Sequence, residues 1–383
     1  MKVTFISCYL NHHQTDLCLE LQKCCDEFYF VATDPMPEYR AQLGYDEDTD
    51  SKHDFIVKAY NGENEDVVRQ LLTDSDVVIF GSCPDEYIDY RAGLGKLSFI
   101  YTERFFKKGT WRRFIPRTRK KVVNRVIRYS DFPVYILCAG AFVAYDLKLC
   151  GFDTDKCFRW GYFPQVNHYT HRPKRDNKPV KLLWAGRMLD WKHPCEALYA
   201  AKELAKAGVD FVLDIIGTGE EEQKLKELAR KLNLSDKVNF TGAMSPDEVK
   251  AHMENADVFL MTSDCYEGWG AVVNEAMSTG CCVLASSVAG CVPYLIDDGK
   301  SGVIYQYGNR KDMVQKLLLL VKDKKLRDEI GLAAMRTVQD EYSAQTAARR
   351  LTEFVNSEDK TKVLYESGPM SKAEVVKNNW YKA

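Results

Sequence analysis

At 383 residues the chain is longer than one hydrophobic core usually organises, which predicts two domains. A hydrophobic share of 45% beside 28% charged residues is that of a soluble globular protein, and no apolar run reaches the length of a membrane span. The net charge of −2 says little as a total, so the placement of the charges has to be read instead. The 13 cysteines are odd in number and lie singly or as the pairs Cys24–Cys25 and Cys281–Cys282. Without a C-x-x-C pair they read as free thiols in a reducing compartment. His12 and His13 have no carboxylate or cysteine spacing that would complete a site, so no metal is expected. The start, MKVTFISCYLNHH, has neither a long apolar core nor a cleavage site, and a cytoplasmic location is expected.

In chain order, Lys2–Ser7 reads as a strand, Cys8–Thr15 as a polar loop, Asp16–Cys25 as a helix and Phe28–Thr33 as the next strand. This βαβ opening predicts a parallel, Rossmann-like first domain. Its first loop offers Asn11, His12, His13 and Gln14 and lacks G-x-G-x-x-G, so no dinucleotide is expected there. Residues 35–65 are polar and irregular, while Asp76–Ser82 and Leu97–Thr102 are apolar strands, the latter running into Glu103 and Arg104. From Arg104 to Tyr129 there are many lysines and arginines and no acid, with Phe105, Phe106, Trp111 and Phe114 among them. Arg112, Arg113, Lys120 and Lys121 are the cations singled out here. Three readings stay open: nucleic acid, for which no recognised motif is present, an anionic membrane or lipid-linked diphosphate, and a merely solvated helix. Pro133–Ala139 and Phe142–Leu149 read as strand and helix. Residues 166–179, including Asn177, are polar and weakly basic, and divide a domain at 1–165 from one at 180–355.

The second domain opens with the strand Val180–Ala185 and continues as GRMLDWKHP, which carries Gly186, Arg187 and Lys192. Phe211–Ile216 and Val238–Gly242 are strands, Gly217 and Gly219 lie in the turn after the first of them, and Ser245–Asn255 is a helix. Asp257–Met261 is a strand, Thr262–Tyr266 a loop, and a helix starts at Ala271 and Val272 before the strand Cys281–Ala285. Between loop and helix lies a turn of Glu267, Gly268, Trp269 and Gly270, with Glu275 in the second helical turn. Such a turn sits at the carboxyl end of a parallel sheet, where glycines admit a ligand and free N–H groups favour an anion such as a diphosphate. Two carboxylates would repel phosphate alone. They suit neutral hydroxyls on either side of it, as in a nucleotide-sugar. The plainer alternative is one acid pairing the helix dipole and one solvated Glu275. Lys311–Leu320 and Leu326–Tyr342 are helical, and no internal repeat is evident.

The stretch YEGWGAVVNEAMSTG resembles the signature of the retaining nucleotide-sugar glycosyltransferase family four. Gly186–Arg187 with Lys192, Gly217 with Gly219, and Asp298–Gly299 with Gly302 are similar to further motifs of that family, in the same order. The resemblance implies an α/β GT-B fold, two Rossmann-like domains with parallel sheets facing across a cleft, with residues 356–383 completing the first. It implies Glu267 at the donor sugar, Glu275 at the nucleotide ribose, Arg187 and Lys192 on the departing diphosphate, and no metal or other cofactor. The partners it implies are a nucleotide-sugar and a glycan or lipid-linked acceptor, with no nucleic acid. Glu103 stands where the family often has a histidine near the reacting sugar, and its other reading is an ion pair with Arg104 or another arginine. The sequence departs from the family in its first loop, which lacks glycines, and at Ala289–Gly290 and Pro293–Tyr294. A non-catalytic partner subunit and a sugar-nucleotide epimerase of similar architecture are the rival functions.

Overall fold

The computed structural model describes residues 1–37, 52–166, 169, 172, 173, 175 and 178–382. The chain divides into two compact units, Met1–Gln165 with Tyr342–Lys377 and Val166–Glu341 with Asn378–Ala383. Half of the expected 166–179 linker, Asn177 included, lies outside the described residues, as does the central part of the irregular 35–65 stretch.

The first unit is built on a parallel sheet ordered β3-β2-β1-β4-β5-β6-β7. Its strands are β1 (Lys2–Ser7), β2 (Glu27–Ala32), β3 (Ile56–Lys58), β4 (Val77–Phe80), β5 (Ser98–Thr102), β6 (Val134–Ala139) and β7 (Cys157–Trp160). Alternation along these apolar runs fills both faces. Phe5, Ile79, Phe99 and Leu137 join one buried cluster, while Ile6, Phe80, Ile100 and Ile136 join the other. Both faces being covered is why these strands read as continuous apolar runs.

The first helix spans His12–Cys24, four residues earlier than expected. Asn11 occupies the N-cap, and the Gln14 side chain accepts from its N–H at 3.4 Å, so the polar loop is in fact the helix start. The expected end of the second domain at 355 falls instead at 341. The helix Ala344–Asn356 buries Ala347, Ala348, Leu351 and Phe354 in the cluster that holds Leu17, Leu21 and Phe99. Residues 378–382 are a second correction, because they belong to the second unit rather than the first. The Trp380 indole donates to the Ser287 carbonyl at 2.8 Å, and the Tyr381 hydroxyl to Asp298 at 2.8 Å.

The second unit carries a parallel sheet ordered β10-β9-β8-β11-β12-β13. Here β8 is Val180–Ala185, β9 Phe211–Ile216, β10 Val238–Gly242, β11 Val258–Met261, β12 Cys282–Ser286 and β13 Val303–Tyr305. Leu182, Trp184, Leu213, Ile215, Leu260 and Leu284 pack one face against the flanking helices. Strand order reverses between β8 and β11, and that switch point leaves the loops after these two strands side by side, the usual ligand position in open α/β sheets. Among the described residues no helix is long and apolar enough to cross a membrane.

Candidate functional site

The loops after β8 and β9 lock together through backbone. A β-carbon on Gly217, whose φ is +120°, would lie 2.0 Å from the Gly186 carbonyl oxygen, and one on Gly219 would lie 2.5 Å from that of Met188. These glycines therefore serve the contact of one loop with the other. Arg187 projects from this knot, exposed, its guanidinium without a hydrogen bond or ion pair among the described residues.

Lys192 ends the short turn Asp190–Lys192 and reaches across to the loop after β11, where its ammonium meets Glu267 Oε2 at 2.7 Å. The same carboxylate oxygen accepts from the Ser263 hydroxyl at 3.1 Å. Beneath them the Trp184 indole donates to Thr262, whose hydroxyl donates to the Lys192 carbonyl at 2.6 Å. The two loops are thus tied by side chain and backbone.

Past Glu267 the chain turns through Gly268 and Gly270 into the helix Ala271–Ser278. Gly290 backs this turn: its N–H donates to the Glu267 carbonyl, and a β-carbon there would fall 1.7 Å from the Gly268 oxygen. No backbone carbonyl among the described residues takes the N–H of Ala271 or Val272, so the first helical turn keeps donors for an anion. Trp269 differs from the expectation. Its indole is fully buried and donates to Asn274 at 2.8 Å, so this side chain supports the turn and only its backbone borders the site.

Glu275 rises from the second turn of the helix, partly shielded from solvent, and no donor among the described residues reaches its carboxylate. Burial pushes its pKa up from 4.5 to about 7, with Lys250 offsetting part of the effect. Glu267 and Glu275 therefore differ in kind. One is held by a lysine and a serine, and the other meets no hydrogen-bond donor among the described residues.

The first-unit candidates fare differently. Glu103, just past β5, accepts from the Tyr162 hydroxyl at 2.5 Å and pairs with Lys107 at 2.5 Å. Tyr162 stacks on His13 at 3.9 Å between ring centres. Arg104 is not its partner, because that guanidinium is buried against Asp146 at 3.1 Å. In the basic run Arg125 and Arg128 pair with Asp85 and Asp89 from outside it, and Phe106 is buried in the core. What remains outward is Trp111, 59% exposed, and Phe114, 72% exposed, with Arg112 and Arg113 lying against their rings. Lys120 and Lys121 follow, exposed on the helix Pro116–Arg125.

Sequence reasoning missed Ser263, Asp264, His193 and Tyr307, which surround the Lys192–Glu267 pair, and His13 and Tyr162 beside Glu103. A signal existed for two of them: Ser263 and Asp264 follow directly on the carboxyl end of a buried strand.

Residues 168–337 match the family Glycosyl transferases group 1. The putative colanic acid biosynthesis glycosyltransferase WcaL of Salmonella typhimurium is 27% identical over 199 residues, covering 50% of this chain and 49% of that protein. The amylovoran biosynthesis glycosyltransferase AmsK of Erwinia amylovora is 29% identical over 184 residues, 47% of this chain and 45% of its own length. The chain thus spans about half the length of these curated relatives. The crystal structure of Anabaena Alr3699/HepE in complex with UDP superposes with a TM-score of 0.71 at 14% identity, covering 93% of this chain and 99% of that one. The apo lipopolysaccharide outer core galactosyltransferase WaaB gives 0.66 at 17% identity over the same shares. The chain has the fold of the GT-B glycosyltransferases, and the segment that holds the paired glutamates carries the sequence pattern of glycosyl transferases group 1.

Proposed function

We propose that the protein is a retaining, metal-independent glycosyltransferase that moves a sugar from a nucleotide-sugar to a glycan or lipid-linked saccharide in polysaccharide or glycoconjugate synthesis. The observation that carries this is the asymmetry of the two carboxylates around one glycine turn. Glu275 is half-buried without a partner among the described residues, as an acceptor for ribose hydroxyls would be, while Glu267 is paired with a lysine, as suits a carboxylate assigned to the donor sugar. The N–H groups of Ala271 and Val272 lie between them, where a diphosphate would sit. Arg187 and Lys192 supply two positive charges to the leaving group, which removes the need for a divalent cation. A structural neighbour that holds UDP and relatives named as polysaccharide glycosyltransferases support a nucleotide-sugar donor.

Retention of configuration places the acceptor hydroxyl on the face of the departing phosphate, which takes its proton. Glu103 is assigned to contact with the transferred sugar or acceptor. The outward Trp111, Phe114, Arg112 and Arg113, with Lys120 and Lys121 beyond, suit an anionic membrane surface that presents a lipid-linked acceptor from the cytoplasmic side.

Thermal-shift and calorimetric titration against uridine, guanosine and adenosine diphosphates and their sugar conjugates tests the donor site. A nucleotide-sugar that binds in a Glu275-dependent manner, and is consumed only when an acceptor is present, supports transfer. Conversion without acceptor to an epimeric nucleotide-sugar would show an epimerase instead, and no binding at all would leave a non-catalytic subunit.

A further inference from the structure

A second link joins the loops that Lys192 and Glu267 connect. His193 follows Lys192 with a left-handed backbone, φ 46° and ψ 48°, and opens the helix Pro194–Lys206. A residue with a β-carbon is disfavoured in that region, and such conformations persist where the surroundings hold them, often at ligand clamps. The surroundings here are specific. His193 Nε2 lies 3.4 Å from Asp264 Oδ2 and 3.2 Å from the Tyr307 hydroxyl, so the loops after β8, β11 and β13 meet at one imidazole.

Asp264 in turn organises the stretch that leads to Glu267. Its N–H donates to the Trp191 carbonyl at 2.9 Å, its Oδ1 accepts from the Tyr266 N–H at 2.7 Å, and its carbonyl accepts from the Glu267 N–H at 3.1 Å. The Lys192–Glu267 pair neutralises itself while no ligand is bound. A diphosphate calling on Lys192 and a sugar calling on Glu267 would draw the two apart, and with them one of the ties between the loops. The His193 tie uses neither group.

We propose that His193, with Asp264 and Tyr307, is a positioning clasp that keeps the Arg187–Lys192 loop in register with the Ser263–Gly270 loop while a nucleotide-sugar occupies Lys192 and Glu267. The clasp rests on the donor-site reading above. Asp264, followed by Cys195, raises the imidazole to about 10, so the ion pair is present throughout the neutral range.

The test uses His193→Gly, Asp264→Asn and the double variant in the full chain, read by melting temperature, hydrogen exchange and calorimetry with UDP and UDP-glucose, or the guanosine pair if those bind instead. Glycine is at ease in the left-handed region, so His193→Gly is expected to melt no lower than the native protein. Exchange of the Asp264, Tyr266 and Glu267 amides should nevertheless rise about tenfold, nucleotide-sugar affinity should fall about tenfold, and the double variant should lose little more. Unchanged amide protection with unchanged affinity overturns the clasp. So does a lower melting point with protection lost uniformly across the unit, which is what a merely structural residue would give. A native protein that binds no nucleotide, yet shows the local exchange effect, overturns the donor site and the clasp's role in it, while leaving the loop tie itself.

Discussion

Glu275 offers the most quantitative test, because its environment alone fixes the sign of two pH dependences. Its carboxyl has a pKa of about 7 in the folded chain against an ordinary 4.5. Between these values the folded state keeps a proton that the unfolded state has released. Stability is therefore full below pH 4.5 and falls as pH rises through 7, by up to about 3 kcal/mol for a shift of this size. Glu275→Gln removes the burden of a buried charge. At pH 8 the variant should melt roughly 6–12 °C higher than the native protein, and at pH 4.5 the two should coincide. Ligand binding runs the other way. Ribose hydroxyls donate best to the ionised carboxylate, so binding a nucleoside diphosphate should release a proton, and affinity should drop about tenfold for each pH unit below 7. The diphosphate itself protonates near a pKa of about 6, so the quantity to plot is the ratio of native to Glu275→Gln affinity from calorimetry at pH 5.5 to 8. A flat ratio, or melting curves of native and variant protein that stay parallel across the range, would refute both the burial of the charge and its role at the ribose.

Lys192→Ala should lower turnover on the order of a hundredfold or more, the usual cost of removing one preorganised charge partner, while Arg187→Ala should cost rate with no change in melting temperature because its side chain is exposed and unpaired. Steady-state kinetics with unchanged turnover for both would retire the assignment to the diphosphate. Glu103→Gln keeps an acceptor for Tyr162 and loses only the partly exposed Lys107 pair, so its stability cost should stay below about 1 kcal/mol; a rate loss beyond tenfold would then mark contact with the reaction, and full activity would leave Glu103 a brace for Tyr162. Co-sedimentation with vesicles rich in anionic lipid should be strong, should fade as salt rises, and should be abolished by charge reversal at Arg112, Arg113, Lys120 and Lys121 without loss of nucleotide binding; native protein that ignores such vesicles at low salt would leave the run a solvated face.

How far the sequence could be read depended on whether a residue's partner was local. β11 and β12, buried at every position, lie within a residue of the apolar runs that predict them, because a strand covered on both faces has no choice but to be largely apolar. The short strands β3, β7 and β13 offer three or four residues each, too few for a pattern to stand out from the loops around them. At the first helix the residues that read as a polar loop, Asn11 to Gln14, are its cap and first turn, with the Gln14 side chain turned back toward the Asn11 N–H. The glycine turn was legible as a motif but not as a set of side chains. The motif places Trp269 in the donor-side turn but does not say where its ring points, and Asn274 on the following helix draws the indole inward.

Apart from Lys107, four residues after Glu103, the partners of the remaining site residues come from distant loops that no spacing rule connects. Glu103 was weighed against arginines nearby in sequence, yet Arg104 is taken by Asp146, a buried carboxylate that would otherwise lack a counter-charge. That leaves Lys107 and Tyr162 for Glu103. Nothing in the sequence around His193, between a lysine and a proline, marks it out. Only the fold brings Asp264, from the loop after β11, and Tyr307, from the loop after β13, to it, and these contacts go with a histidine at a position that glycine would occupy without strain. The same logic applies to the chain's last segment, where Trp380 reaches Ser287, whose hydroxyl takes the Tyr307 N–H. In each case the local pattern names a loop, and the fold then decides which other loop that residue must answer to.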